Sequence, residues 1–243
     1  MNAGRDWGVV FDCDGTLFPK NLGSLMKLVD DRALPPDAKR RSAELRARYL
    51  PLALNGTLTV EQERDWLKQT VSIYADIRIS ERQLRAALQD VQLRPGAAAG
   101  LRQLHAAGVR LGINSYGVTP LIQVALELND VAELFTSICA ADMKRNESGQ
   151  FVDYSPHTFV TPDDKGEWSK LFALAYDIAD EHLLAVGDSG GDRHLGIHRA
   201  NRLGVMEHPG EAPGLLKHMG EVVLVADSFD PAIDWLKRKI GLT

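Results

Sequence analysis

Apolar residues along the chain follow two rhythms. Residues 7–13 read WGVVFDC, an unbroken β-rich run of the kind required by a strand covered on both faces of a parallel sheet. Runs of the same character recur at 109–114, 135–140, 183–186, 203–206 and 222–225. Helical spacing fills several of the intervals. One interval opens at Pro95, which suits a first helical turn, puts Leu101 and Leu104 on one face, and closes at Gly108. Such alternation predicts an α/β fold, a doubly wound, Rossmann-like parallel sheet whose ligands bind beyond the carboxyl ends of the strands.

Residues 20–94 break the alternation and read as helices only. Leu22, Leu25, Met26 and Val29 make one stripe, and Trp66, Leu67, Thr70, Val71 and Tyr74 make another. Thr59 with Gln62, and Ser80 with Gln83, have capping-box spacing. The charge-dense stretch 37–48 reads as a solvated helix face. A helical insert directly after the first strand stands over that strand's carboxyl end. The expected organisation is therefore a core of residues 1–19 and 95–243 with a small cap of residues 20–94.

Composition narrows the function classes. With 44% hydrophobic and 25% charged residues over 243 positions, the chain can bury a large core. Its net charge of −5 and scattered basic residues lack the broad positive field that nucleic acid demands. Residues 1–7 hold no apolar stretch of signal-peptide length and no later segment approaches a membrane span of about 20 apolar residues, which gives the expectation of a cytoplasmic protein with no membrane partner. Cys13 and Cys139 sit in strand-like runs and read as buried thiols, neither disulfide nor metal pair.

The chemistry concentrates at strand ends. Asp12 and Asp14 follow the first run, and strand alternation puts both carboxylates on one side with Cys13 on the other. Carboxylates so close repel unless a cation or a shared proton compensates, which separates a nucleophile from a proton carrier. Taken alone, the run is also what a solvated Asp-Gly turn looks like. A second acidic cluster, Gly187-Asp188-Ser189-Gly190-Gly191-Asp192, follows another apolar run and is read as leading into a helix. Oxygen ligands from two strand ends suit Mg²⁺, although Asp192 as a helix N-cap would fit the pattern too. Ser115, closing the run before Tyr116 and Gly117, could hold a phosphoryl oxygen together with the Tyr116 N–H. Lys165 lies near the direction of an apolar stripe of Trp168, Leu171, Phe172 and Ala175, whereas Lys170 points away, so Lys165 is preferred as the functional cation.

These four elements, in this order, resemble the haloacid-dehalogenase superfamily of phosphotransferases. Its DxDGT signature matches Asp12, Asp14, Gly15 and Thr16; its strand-end Ser/Thr matches Ser115; its lysine matches Lys165; its GDxxxD pair matches Asp188 and Asp192. The resemblance implies phosphomonoester hydrolysis with Mg²⁺. Asp12 would be the covalent nucleophile and Asp14 the acid/base, with Ser115 and Lys165 on the phosphate. The metal would be held by Asp12, the Asp14 carbonyl and Asp188, with Asp192 bound directly or through water. An acid two residues after the nucleophile is typical of the phosphatase branches, so carbon-halogen cleavage is disfavoured.

The all-helical insert, the Lys165-Gly166-Glu167 run and residues 56–62 resemble the phosphoserine-phosphatase branch. Where that branch has a glutamate for the substrate ammonium, this chain has Lys20 and Asn21; where it has a carboxylate-binding arginine, Leu67 aligns, or Arg64 if the alignment shifts by a turn. A zwitterionic head would be left unpaired, so a small phosphorylated metabolite other than phosphoserine is expected, and Lys20 suits a second anionic or hydroxyl-rich group. The fourth motif and Ser115-Tyr116-Gly117 are similar to eukaryotic-type pyrimidine nucleotidases, for which Trp66 or Tyr49 could stack on a base. His194 and His198, four apart on an expected helix, lack a third ligand for zinc. A phosphotransferase or mutase is the rival enzyme, and a binding protein without turnover is the rival of another class.

Overall fold

A computed structural model describes residues 4, 6–54 and 57–242, Leu54 by its backbone alone. Met1, Asn2, Ala3, Arg5 and Thr243 of the expected core, and Asn55 and Gly56 of the expected cap, lie outside the described residues. Strand β1 (Gly8–Phe11) leads through a 3₁₀ turn (Lys20–Leu22) into α1 (Leu25–Ala33), α2 (Pro36–Leu54), α3 (Val60–Asp76) and α4 (Glu81–Leu88). The chain continues with α5 (Ala97–Ala106), β2 (Arg110–Val118), α6 (Thr119–Leu128), β3 (Phe135–Arg145) and β4 (Phe151–Ser155). Then come α7 (Lys165–Ala175), β5 (Leu183–Gly187), β6 (Arg202–Met206), α8 (Ala212–Leu215), β7 (Glu221–Leu224) and α9 (Asp230–Ile240).

Among the described residues the strands form a seven-stranded sheet in the order β4-β3-β2-β1-β5-β6-β7, parallel except for β4. Alternate side chains of the central strands go to opposite faces. Val9, Phe11, Leu184 and Val186 join the cluster containing Leu101 and Leu104 of α5 and Trp235 and Leu236 of α9. Val10, Leu183 and Ala185 pack against Phe172 and Ala173 of α7. Both faces are covered, which is why the runs are unbroken rather than alternating. The chain turns back between β1 and β5, so their carboxyl ends flank a switch point, where a crevice opens.

Both capping boxes form, with Thr59 accepting from the Gln62 N–H and Ser80 from the Gln83 N–H. The stripes on α1, α3 and α4 are buried through Leu25, Val29, Leu67, Val71, Tyr74, Leu84 and Leu88, and they share one apolar cluster with Val9 and Phe11. The helical segment is thus welded to the sheet rather than tethered beside it.

Three local expectations are corrected. Strand β3 runs on to Arg145 instead of stopping at Ala140, because β4 pairs antiparallel with its second half, where Ala141 and Met143 alternate with polar residues and no continuous apolar run marks the strand. That hairpin grips the helices: Phe151 N–H donates to the Ile79 carbonyl at 2.9 Å, and Arg145 pairs with Glu81 at 2.5 Å. Among the described residues no α-helix lies between β5 and β6. Residues 190–192 and 199–201 are 3₁₀ turns, so His194 and His198 share no helical face. On α7 the buried face is Lys165, Ser169, Phe172 and Ala173, while Leu171 is 46% and Leu174 79% exposed. Two polar residues needed inside displace the apolar stripe and hide it from periodicity.

Arg94 closes the helical segment and is buried. Its guanidinium donates to the carbonyls of Gly15 at 2.6 Å and Thr16 at 2.8 Å, and it pairs with Glu207 at 2.7 Å. Replacing Arg94 by Met should cost about 3–5 kcal/mol, since it leaves Glu207 and two carbonyls without their partner. Urea unfolding checks this, and a loss below about 1 kcal/mol would show that the network is dispensable.

Candidate active site

Asp12 continues β1, its N–H donating to the Val186 carbonyl at 2.9 Å. Beyond it the chain coils tightly, with the N–H groups of Thr16, Leu17 and Phe18 converging on the Cys13 carbonyl. Gly15 takes a φ of +83°, and a Cβ there would lie 2.5 Å from Asp188 Oδ2, so both conformation and space demand glycine. Cys13 is buried in the apolar cluster while Asp12 and Asp14 line the cavity on the other side. Asp14 Oδ1 accepts the N–H of Leu25, the first residue of α1, at 3.0 Å. Both cysteines are free thiols, Cys13 buried and Cys139 half-buried.

Strand β5 delivers Asp188 and the turn after it delivers Asp192. Asp12, Asp188 and Asp192 each place a carboxylate oxygen within 4.8 Å of the others. Lys165, buried at the start of α7, donates to Asp12 Oδ1 at 2.7 Å and Asp192 Oδ1 at 2.6 Å. Asp192 spends its other oxygen on the N–H groups of Asp188 and Ser189, at 3.0 and 3.2 Å. Asn114 and Ser169 both donate to the Lys165 carbonyl, at 2.8 and 2.7 Å, and so fix the first turn of α7. The β2–β3 ladder breaks between Asn114 and Val118, freeing Ser115 and Tyr116 to face the cavity.

The electrostatics follow from crowding. Burial raises the Asp12 carboxyl, and the Lys165 ammonium opposes it. Burial likewise raises Asp14 to about 7, with the Leu25 N–H opposing, and raises Asp188 to about 6, with Asp192 adding to the rise. Burial works against the Lys165 charge, yet Asp12 and Asp192 outweigh it and hold the ammonium above its ordinary range. An all-carboxylate trio this close, with Asp12 and Asp188 both raised, offers the oxygen donors that suit a hard divalent cation such as Mg²⁺.

A cavity of about 940 Å³ joins these groups to the helices. Trp66 lines it, half-buried, stacked on Tyr49 at 5.7 Å with Tyr116 edge-on at 6.5 Å. Leu67 lines it as well. Lys20 and Asn21 do not. Asn21 is exposed, and Lys20 pairs with Asp188 at 3.2 Å and Glu211 at 2.5 Å. Arg64 binds Asp164 at 2.9 Å, outside the pocket.

The helices do bring an acid and a cation to the cavity, at positions other than Lys20, Asn21, Leu67 and Arg64. Arg46 on α2 and Asp30 on α1 line the cavity, paired at 3.1 Å, and Asp30 also accepts from Ser42 and, at 2.8 Å, from Tyr74. These residues went unseen because Arg46 lies in a stretch that reads as solvated, and only packing shows which side of α2 turns inward. Glu63, one turn before Trp66, lines the cavity too.

Residues 9–196 match the family model described as haloacid dehalogenase-like hydrolase. A phosphoglycolate phosphatase of Cereibacter sphaeroides is 24% identical over 233 residues, covering 87% of this chain and 98% of that protein. Cytosolic 5'-nucleotidase IIIB bound to cytidine superposes with a TM-score of 0.79 at 14% identity, over 99% of this chain and 89% of that one. A phosphoserine phosphatase solved as a phospho-aspartyl intermediate analogue gives 0.66 at 16% identity, over 96% of this chain and all of the other.

Glu63 generates a prediction of its own. Its Oε2 is shielded and has no hydrogen-bond partner among the described residues. Burial raises the carboxyl from 4.5 to about 7, Asp163 adds to the rise, and Arg193 opposes it. A folded-state pKa above the unfolded one gives stability that is present below the unfolded value and lost as pH rises through the folded value. The Tm of Glu63→Gln relative to the parent should therefore climb between pH 5 and pH 8. An unchanging difference would mean the carboxyl is not held protonated.

Proposed function

This chain belongs to the haloacid dehalogenase-like hydrolase family and is a phosphomonoester hydrolase, and we propose that it cleaves small phosphorylated metabolites with Mg²⁺ through an aspartyl-phosphate on Asp12. The observation that carries this reading is the Lys165 ammonium 2.7 Å from Asp12, inside a carboxylate trio at the head of a cavity. Asp12, Asp188 and the Asp14 carbonyl would hold the cation, with Asp192 bound directly or through water. When bound, the cation supplies the positive charge that keeps these carboxylates ionised and offsets charge on the phosphoryl group.

Asp12 attacks phosphorus as the ester P–O bond breaks, and Asp14 gives its proton to the leaving oxygen. Asp14, now a carboxylate, takes a proton from water, whose oxygen attacks the same phosphorus and releases phosphate and Asp12. Ser115, the Tyr116 N–H and Lys165 hold the phosphoryl oxygens meanwhile. The Leu25 N–H aims the Asp14 carboxyl. Residues 20–94 act as the cap over this chemistry, with residues 1–19 and 95–243 as the catalytic core.

The cap wall bears on the leaving group. Trp66, backed by Tyr49, offers an aromatic face, which supports a nucleoside monophosphate among the substrates. The 5'-nucleotidase likeness agrees with that choice.

Asp12→Asn should fold yet lose at least about 10³-fold in kcat. Phosphate release should cease in EDTA and return with Mg²⁺, and Asp188→Ala should weaken that dependence far more than His194→Ala. Near-parent turnover by Asp12→Asn would end the covalent reading, and full activity in chelator the metal reading. Because Arg46 and Asp30 reach the cavity already paired with each other, they leave no free pair for a zwitterionic head, and in a panel of phosphomonoesters a nucleotide, sugar phosphate or other small ester should exceed O-phosphoserine by at least about 10-fold in kcat/KM. O-phosphoserine as the best substrate would reverse the assignment of the cap.

A further inference from the structure

Each carboxylate of the trio is matched by an ammonium group. Lys165 covers Asp12 and Asp192, and both of its partners belong to the trio. Lys20 covers Asp188: its Nζ lies 3.2 Å from Asp188 Oδ2 and donates to the Asp188 carbonyl at 3.4 Å. Unlike Lys165, it has a second anionic partner outside the trio, Glu211 Oε2 at 2.5 Å. The two lysines also differ in freedom. The Lys165 side chain is 4% exposed, that of Lys20 32%. The Lys20 backbone N–H is anchored on Glu207 at 2.9 Å, and Arg94 neutralises Glu207, so the side chain can shift while its backbone stays.

On the reading that Asp12, Asp188 and Asp192 receive a divalent cation, we propose that Lys20 is a resident competitor for that cation. It neutralises Asp188 while the site holds no metal and passes to Glu211 when the cation arrives, so the Lys20–Glu211 pair sets the affinity of the site. The charges make this workable. Asp12, Asp188, Asp192 and Glu211 against Lys165 and Lys20 leave two negative charges, which one divalent cation neutralises. A lysine suits the task because its ammonium is a compact point charge on a flexible stem, with no fork geometry to break when it changes partner. Two cations a few ångströms apart repel, so an ammonium left on Asp188 would oppose the metal directly.

The proposal fixes opposite signs for two substitutions. Mg²⁺ is titrated by calorimetry into metal-stripped, full-length parent, Lys20→Met, Glu211→Gln and the double variant. Lys20→Met should bind Mg²⁺ at least about 10-fold more tightly, because the competitor is gone. Glu211→Gln should bind it several-fold more weakly, because Lys20 then has only Asp188 to turn to. In the double variant the Glu211→Gln effect should vanish, since it acts through Lys20. Unchanged or weaker binding by Lys20→Met would make Lys20 a structural tether and overturn the proposal. If Lys20→Met does not fold, Glu211→Gln decides, and affinity equal to or tighter than the parent's overturns it. A parent that binds no Mg²⁺ overturns the metal reading itself, an outcome distinct from a parent that binds while Lys20→Met leaves the affinity unchanged.

Discussion

Three carboxylates forced together at the ends of two buried strands are the constraint around which this molecule is arranged. Left alone, Asp12, Asp188 and Asp192 would repel one another in a poorly solvated crevice. Lys165 can compensate only because Asn114 and Ser169 lock the first turn of α7. That turn lies where it does because Phe172 and Ala173 pack on the face of the sheet presented by Val10, Leu183 and Ala185. The fold places charge, and the charge selects which polar residues α7 must bury.

The helical segment answers to the same site. Asp14 is held by the first N–H of α1, and Arg94, at the far end of the segment, binds the carbonyls of Gly15 and Thr16. Entry and exit of the insert therefore both clasp the loop that carries the two aspartates. Displacing the helices would disturb that loop, so in the proposed mechanism substrate selection and proton transfer are mechanically joined.

The core was legible from the sequence because its signals are local. Unbroken apolar runs announce strands covered on both faces, and acids at their carboxyl ends announce the crevice. Asp12, Asp14, Ser115, Lys165 and Asp188 line one cavity as the spacing suggests, and Asp192 closes the acidic trio beside them. What escaped notice depends on long-range packing. Strand β4 has a mixed sequence and exists because β3 offers it an edge. Arg46 belongs to a charge-dense helix whose inward side only the neighbours of α2 define. Lys20, expected to suit a second anionic or hydroxyl-rich group of the substrate, pairs with Asp188 and with Glu211, nearly two hundred residues along the chain.

The register of β1 bears on how the chain is made. Gly8 pairs on one side with Arg110 and on the other with Leu183, some 175 residues later. At ribosomal rates of about 5–20 residues per second, the central strand waits roughly 9 to 35 s for its second neighbour. During that interval one edge of a short, wholly apolar strand has no partner for its backbone groups. The same uninterrupted hydrophobicity that makes β1 the centre of the finished sheet makes it an adhesive segment of the nascent chain.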